Sequence, residues 1–67
     1  MLKKGIISLL DIEARTAEVF IPELDNVVTP MIPLSKEIPI ENVTIGAKCV
    51  IALFSSNFAD GAIIAII

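Results

Sequence analysis

The apolar residues of this chain come in short runs rich in isoleucine and valine, separated by prolines, glycines and polar turns. Along these runs the helical period of about 3.6 residues fails, and the side chains divide between two faces with a period of two. β-branched side chains favour strands, whereas proline and glycine interrupt regular structure. The pattern therefore predicts an all-β fold, with strands at residues 5–12, 16–21, 27–34, 47–54 and 62–67.

Two segments of the predicted order are irregular. The third strand, 27–34, contains Pro30 and Pro33, which cannot donate to a strand ladder, so it should be an edge strand or bend there. The segment 35–45 contains Pro39, which argues against a long helix, and we expect it to cover one end of the fold. Three early strands, a crossing segment and a final hairpin are typical of a five-stranded OB-type barrel, with an SH3-like barrel as the alternative.

The length of the chain limits how it can be stabilised. Its 67 residues leave room for one domain, residues 1–67, with one modest core. Cys49 is the only cysteine and histidine is absent, so neither an intrachain disulfide nor a dedicated metal site is expected. Hydrophobic residues make up 55 % of the chain and the mean hydropathy is +0.87, which is high for a small domain. We therefore expect stabilisation by oligomerisation or by docking into a larger body.

The last predicted strand, 62–67, is apolar on both faces. In an antiparallel wall one face normally meets water and is polar. Either the connecting segment crosses the outer side of this strand or the strand forms a subunit interface, and we favour the interface because one small core cannot bury so much apolar surface. Of Ile63 and Ile64, one should line the core and the other should meet a partner. The candidate interface residues are Phe54, Phe58, Ile63, Ile64 and Ile66.

No catalytic, cofactor-binding or metal site is predicted. Acyl transfer through serine or cysteine usually needs a positioned base, most often histidine, and this chain has none. Ser55 and Ser56 are ordinary turn residues. Cys49 lies in mid-strand beside Lys48, which should point to the opposite face, so its thiol is expected to behave as a small hydrophobe. Pairs of carboxylates occur only near strand ends, where solvated charge is usual: Asp11 with Glu13, and Glu23 with Asp25. The sequence thus favours a protein that is not an enzyme.

Charge and composition argue against nucleic-acid binding and membrane insertion. The net charge is −3, the five basic residues are scattered along the sequence, and tryptophan and tyrosine are absent, so no basic stripe with stacking aromatics is expected. The longest apolar run, 62–67, is far shorter than the roughly 20 residues of a membrane-spanning helix. The first residues imitate the start of a signal peptide, but the apolar stretch is short and stops at Asp11, so secretion is not expected.

Several segments carry a family resemblance. A strand opened by Gly5 is followed by AEVFIP at 17–22 and VVTPMIP at 27–33; IGAKCVIALF at 45–54 and NFADGAII at 57–64 complete the series. Together they resemble the OB-fold domain of phage baseplate assembly protein V and related tail-spike proteins. The tryptophan frequent in the family's third strand is replaced by Met31 or Ile32, and the needle or lysozyme-like region of complete spikes has no counterpart in these residues.

The resemblance implies a structural subunit of a phage or phage-like tail. Such a subunit would trimerise at the tail tip, join other baseplate proteins such as hub and spike, and catalyse nothing. It would be assembled in the host cytoplasm and reside in the virion tail. The chain is also similar in length and strand order to bacterial translation initiation factor one. That protein is a basic ribosome-binding protein, whereas this chain is acidic, so an OB-fold RNA- or ribosome-binding protein ranks second.

Overall fold

A computed structural model describes residues 1–67 and is all-β, as predicted, with no α-helix. Two single-turn 3₁₀ segments, Pro22–Leu24 and Ile40–Asn42, lie between strands. The first strand begins at Leu2, three residues earlier than predicted. The six strands are β1 (Leu2–Asp11), β2 (Thr16–Ile21), β3 (Val27–Val28), β4 (Ile32–Pro33), β5 (Lys48–Leu53) and β6 (Gly61–Ile66).

The strands form one antiparallel sheet in the order β3-β2-β1-β5-β6, and β4 also pairs with β2. The predicted third strand is therefore broken into β3 and β4, which confirms the bend expected at Pro30. Thr29, which is buried, occupies the break. The Thr29 N–H donates to the Val19 carbonyl at 2.8 Å, and the Val19 N–H donates to Thr29 Oγ1 at 3.0 Å. A side chain thus supplies a ladder bond where the strand itself is interrupted.

One contact links the two ends of the sheet. Leu34 forms an isolated parallel bridge with Ile63, and the Ser35 N–H donates to the Ile63 carbonyl at 2.8 Å. Away from this bridge, the sheet is open between β4 and β6. The structure therefore establishes a six-stranded antiparallel sheet whose open side is crossed at one point.

The core lies on the concave side of the sheet, and the segment after β4 covers it. Ile38 and Val43 of that segment are buried, as expected, whereas Ile45 is exposed. The Arg15 guanidinium holds the segment in place by donating to the Ser35 and Ile38 carbonyls at 2.9 and 2.7 Å. The twelve residues of the core are Ile7, Ala17, Val19, Ile21, Ile32, Leu34, Ile38, Val43, Cys49, Ile51, Leu53 and Ile63.

Candidate functional site: an apolar outer face with a basic groove

The side of β1, β5 and β6 that points away from the core is unusually apolar. Strand periodicity sends alternate side chains to opposite sides of a sheet, so the neighbours of the buried residues Ile7, Cys49 and Ile51 face outward. We call this side the outer face. Over the part of β1 that pairs with β5, and along β5 and β6, its residues are Leu2, Lys4, Ile6, Lys48, Val50, Ala52, Ala62, Ile64 and Ala65. Only two of these nine residues are polar, although a solvated antiparallel face is normally polar.

A β-bulge decides which residues of β6 face outward. Ile51 is opposite Ile63, but Val50, the residue before it, is opposite Ala65, so Ile64 is the extra residue of the bulge. A bulge places two residues opposite one and changes the alternation beyond it. As a result, Ile63 is fully buried and Ile64 is 42 % exposed. The structure thus assigns the core role to Ile63 and the outward role to Ile64.

The five predicted interface residues do not all lie on the surface. Ile63 is 0 % exposed, so placing it in an interface was wrong: it belongs to the core. Phe58 and Ile66 are half-buried and pack against the core from its rim. Phe54 and Ile64 remain as candidates, with 68 % and 42 % of their surface exposed.

Several other apolar side chains are exposed that were not predicted to lie on the surface. Leu2 is 65 % exposed at the start of β1 and extends the outer face from β6 across β5. The sequence signal for this exposure was its position two residues before Lys4, because side chains two residues apart in a strand lie on the same face. Seven further large apolar residues are exposed: Met1, Leu9, Ile12, Val28, Met31, Ile45 and Ile67.

A groove of about 720 Å³ opens on the outer face. We call it the basic groove; its main lining residues are Leu2, Lys3, Lys4, Ile6, Lys48 and Val50, and Pro22, Glu23, Gly5 and Ile67 complete the lining. It contains three of the five basic residues of the chain. Basic residues that are scattered along the sequence are thus brought together in one groove.

The pairing of β1 with β5 explains this gathering of lysines. Lys4 is opposite Val50, and Lys48 is opposite Ile6. Lys4 and Lys48 are thus diagonal neighbours, and such positions lie roughly 7–8 Å apart. This cross-strand register joins residues more than forty positions apart in sequence, which no local pattern shows.

The groove offers positive charge on an apolar floor. None of its three lysine amino groups takes part in a hydrogen bond within the chain. Lysine amino groups beside apolar side chains suit a segment that carries both carboxylates and apolar side chains. None of the ten lining residues is aromatic, so the groove has no ring on which a nucleic-acid base could stack.

The single thiol of the chain lies beneath the groove, in the core. Cys49 is buried opposite Gly5. Burial raises the pKa of the Cys49 thiol to about 11, and a hydrogen bond with the Gly5 backbone opposes that rise only in part. The thiol is therefore protonated near neutral pH, and a protonated, buried thiol is a poor nucleophile. Lys48 points to the opposite side of the strand, as predicted.

Comparison with known proteins adds no family to this description. No protein-family model matches the chain, and a search of curated proteins finds no match to it. The structure contains no helix with the length and apolar character needed to cross a bilayer.

Proposed function

We propose that this chain is a structural subunit of a phage or phage-like tail baseplate or spike complex, acting as an OB-type oligomerisation and docking module without catalysis. The observation that carries the proposal is the apolar outer face. A small domain that leaves Leu2 and Ile64 on one exposed sheet surface has apolar area to cover with another protein. The resemblance to baseplate assembly protein V supports the tail as the place of assembly and three as the number of copies.

The order of the strands supports the OB-type barrel. Counting β3 and β4 as one bent strand gives five strands, with β1 between β2 and β5. An OB barrel is a partly open five-stranded barrel. The bridge between Leu34 and Ile63 joins the end of the third strand to the last strand, which is the contact that closes such a barrel.

Particle purification tests the proposed location. Purified tail particles from the producing strain, analysed by quantitative mass spectrometry, are expected to contain the chain in a fixed ratio to tube and hub proteins, in multiples of three copies. Immunogold labelling is expected to mark the tail tip. Recovery of the chain with ribosomes and its absence from particles would contradict the proposal.

The basic groove favours one second candidate, an OB-fold RNA- or ribosome-binding protein. Three lysines on one surface could contact phosphates, and Phe20 lies beside the groove, opposite Ile6 in the pairing of β1 with β2. Two features weigh against it: the groove lining has no aromatic residue, and the net charge of −3 repels a polyanion.

Fluorescence anisotropy with labelled single-stranded DNA and RNA separates the two candidates. At physiological salt we expect no affinity tighter than the non-specific range of about 10⁻⁴–10⁻⁶ M. The matched control is Lys4→Glu/Lys48→Glu, which removes the groove charge. Tight binding that falls steeply with salt and disappears in this variant would place the nucleic-acid function first.

A further inference from the structure

The hairpin between β1 and β2 carries an exposed acidic and apolar tip. Asp11, Ile12 and Glu13 are all exposed, and Leu9 is exposed on the strand that leads to them. Asp11 Oδ1 accepts a hydrogen bond from the Ala14 N–H at 3.1 Å, which fixes the turn while the second carboxylate oxygen stays free. We call residues 9–13 the acidic tip.

Arg15, the only basic residue of the turn between β1 and β2, is directed away from the tip. Arg15 has a left-handed backbone conformation, with φ of 53°. Its guanidinium donates to the Ser35 and Ile38 carbonyls on the covering segment. The carboxylates of Asp11 and Glu13 are therefore not neutralised by the arginine two to four residues away, and the tip presents negative charge beside two apolar side chains.

The acidic tip and the basic groove match in chemistry and lie at opposite ends of β1. The groove presents Lys4 and Lys48 beside apolar side chains, with Lys3 also in its lining, and the tip presents two carboxylates with Leu9 and Ile12. The seven residue-to-residue steps from Lys4 to Asp11 span roughly 23 Å of strand, close to the longest dimension of the molecule, 29 Å. The two surfaces therefore cannot meet within one copy.

We infer that the basic groove of one copy receives the acidic tip of a second copy, in a head-to-tail contact. This inference rests on the self-association in the proposed function and names the surfaces that carry it. A contact between two different surfaces of identical chains closes into a ring or continues into a filament. A ring of three agrees with the trimer that the family resemblance implies.

Charge changes at each surface, first separately and then combined in one chain, test the contact. The groove variant is Lys4→Glu/Lys48→Glu. The tip variant is Asp11→Asn/Glu13→Lys, in which asparagine keeps the oxygen that accepts the Ala14 N–H bond. Each variant alone is expected to dissociate about tenfold more readily than the wild type in sedimentation velocity, because it places like charges opposite each other. A chain that combines both sets of substitutions should recover the assembled species, because every reversed groove then meets a reversed tip of opposite charge in a ring of any number of copies.

Two exposed charges outside both surfaces provide the controls. Lys36→Glu makes the net charge more negative, as the groove variant does, and Glu41→Lys makes it more positive, as the tip variant does. Both should leave the assembled mass unchanged, and circular dichroism should show every variant folded. If the wild type assembles but neither variant alters its mass, or if the chain that combines both sets of substitutions fails to recover it, the head-to-tail contact is wrong and self-association through another surface stands. A wild type that is monomeric throughout overturns the contact, while the particle measurement still decides the proposed location.

Discussion

Ile63→Lys is expected to unfold the chain, whereas Ile64→Lys is expected to leave it folded and unable to assemble. The two residues are adjacent in β6, but Ile63 is 0 % exposed in the core and Ile64 points outward at the bulge. An unpaired buried charge costs several kcal/mol, and a domain of this kind has only about 5–15 kcal/mol of stability. At position 64 the lysine remains in water in a single copy and is penalised only when a partner covers it.

Circular dichroism reports the folding of the two variants, and light scattering after size exclusion reports their assembly. Ile63→Ala extends the comparison, because loss of its buried methyl groups should lower the free energy of unfolding by about 2–5 kcal/mol. If both lysine variants stay folded with the mass of the wild type, β6 is neither a core strand at Ile63 nor an interface at Ile64.

Gly5→Ala is the second change with a large expected effect, because β1 and β2 approach closely at this residue. A Cβ at Gly5 would overlap Val19 Cγ1 and lie 3.0 Å from the Phe20 carbonyl oxygen. Val19 is fully buried, and its β-branched side chain has few rotamers through which to withdraw. Such overpacking is expected to lower the free energy of unfolding by about 1–3 kcal/mol, as measured by urea denaturation.

A second substitution isolates the cause. Val19→Ala removes the methyl group that Gly5→Ala would meet. The double variant should therefore lose less free energy of unfolding than the sum of the losses in the two single variants. Gly46→Ala is the contrasting control, because Gly46 has open space around it and a φ of +93°; its cost is backbone strain, which Val19→Ala should not relieve. Full additivity of Gly5→Ala and Val19→Ala would show that the close contact is not the reason for glycine at position 5.

The strands could be predicted because their signals are local. Alternating isoleucine and valine, the turns before Thr16 and Gly61 and the prolines at 30 and 33 each specify structure within a few residues. The replacement of a ladder bond by Thr29 Oγ1 could not be predicted in the same way. It depends on where β2 lies relative to the break, which is a tertiary relation.

Only part of the candidate site could be predicted from the sequence. Excess apolar residues in β6 correctly indicated a face without polar side chains, but the bulge at Ile64 that separates core from surface depends on the pairing with β5. The basic groove depends on the register that places Lys48 near Lys4. The direction of the Arg15 side chain could not be predicted from its position in the sequence. Its hydrogen bonds to the covering segment explain why it does not neutralise the carboxylates of the hairpin tip.

Sedimentation equilibrium of the wild type, from low to high micromolar concentration, tests most directly the proposed covering of the apolar outer face by another copy of the chain. We expect a mass that is a multiple of the 7.2 kDa chain, with three copies favoured, and a return toward the single-chain mass in Ile64→Lys. A mass of 7.2 kDa at every concentration, for the wild type and the variant alike, would contradict it.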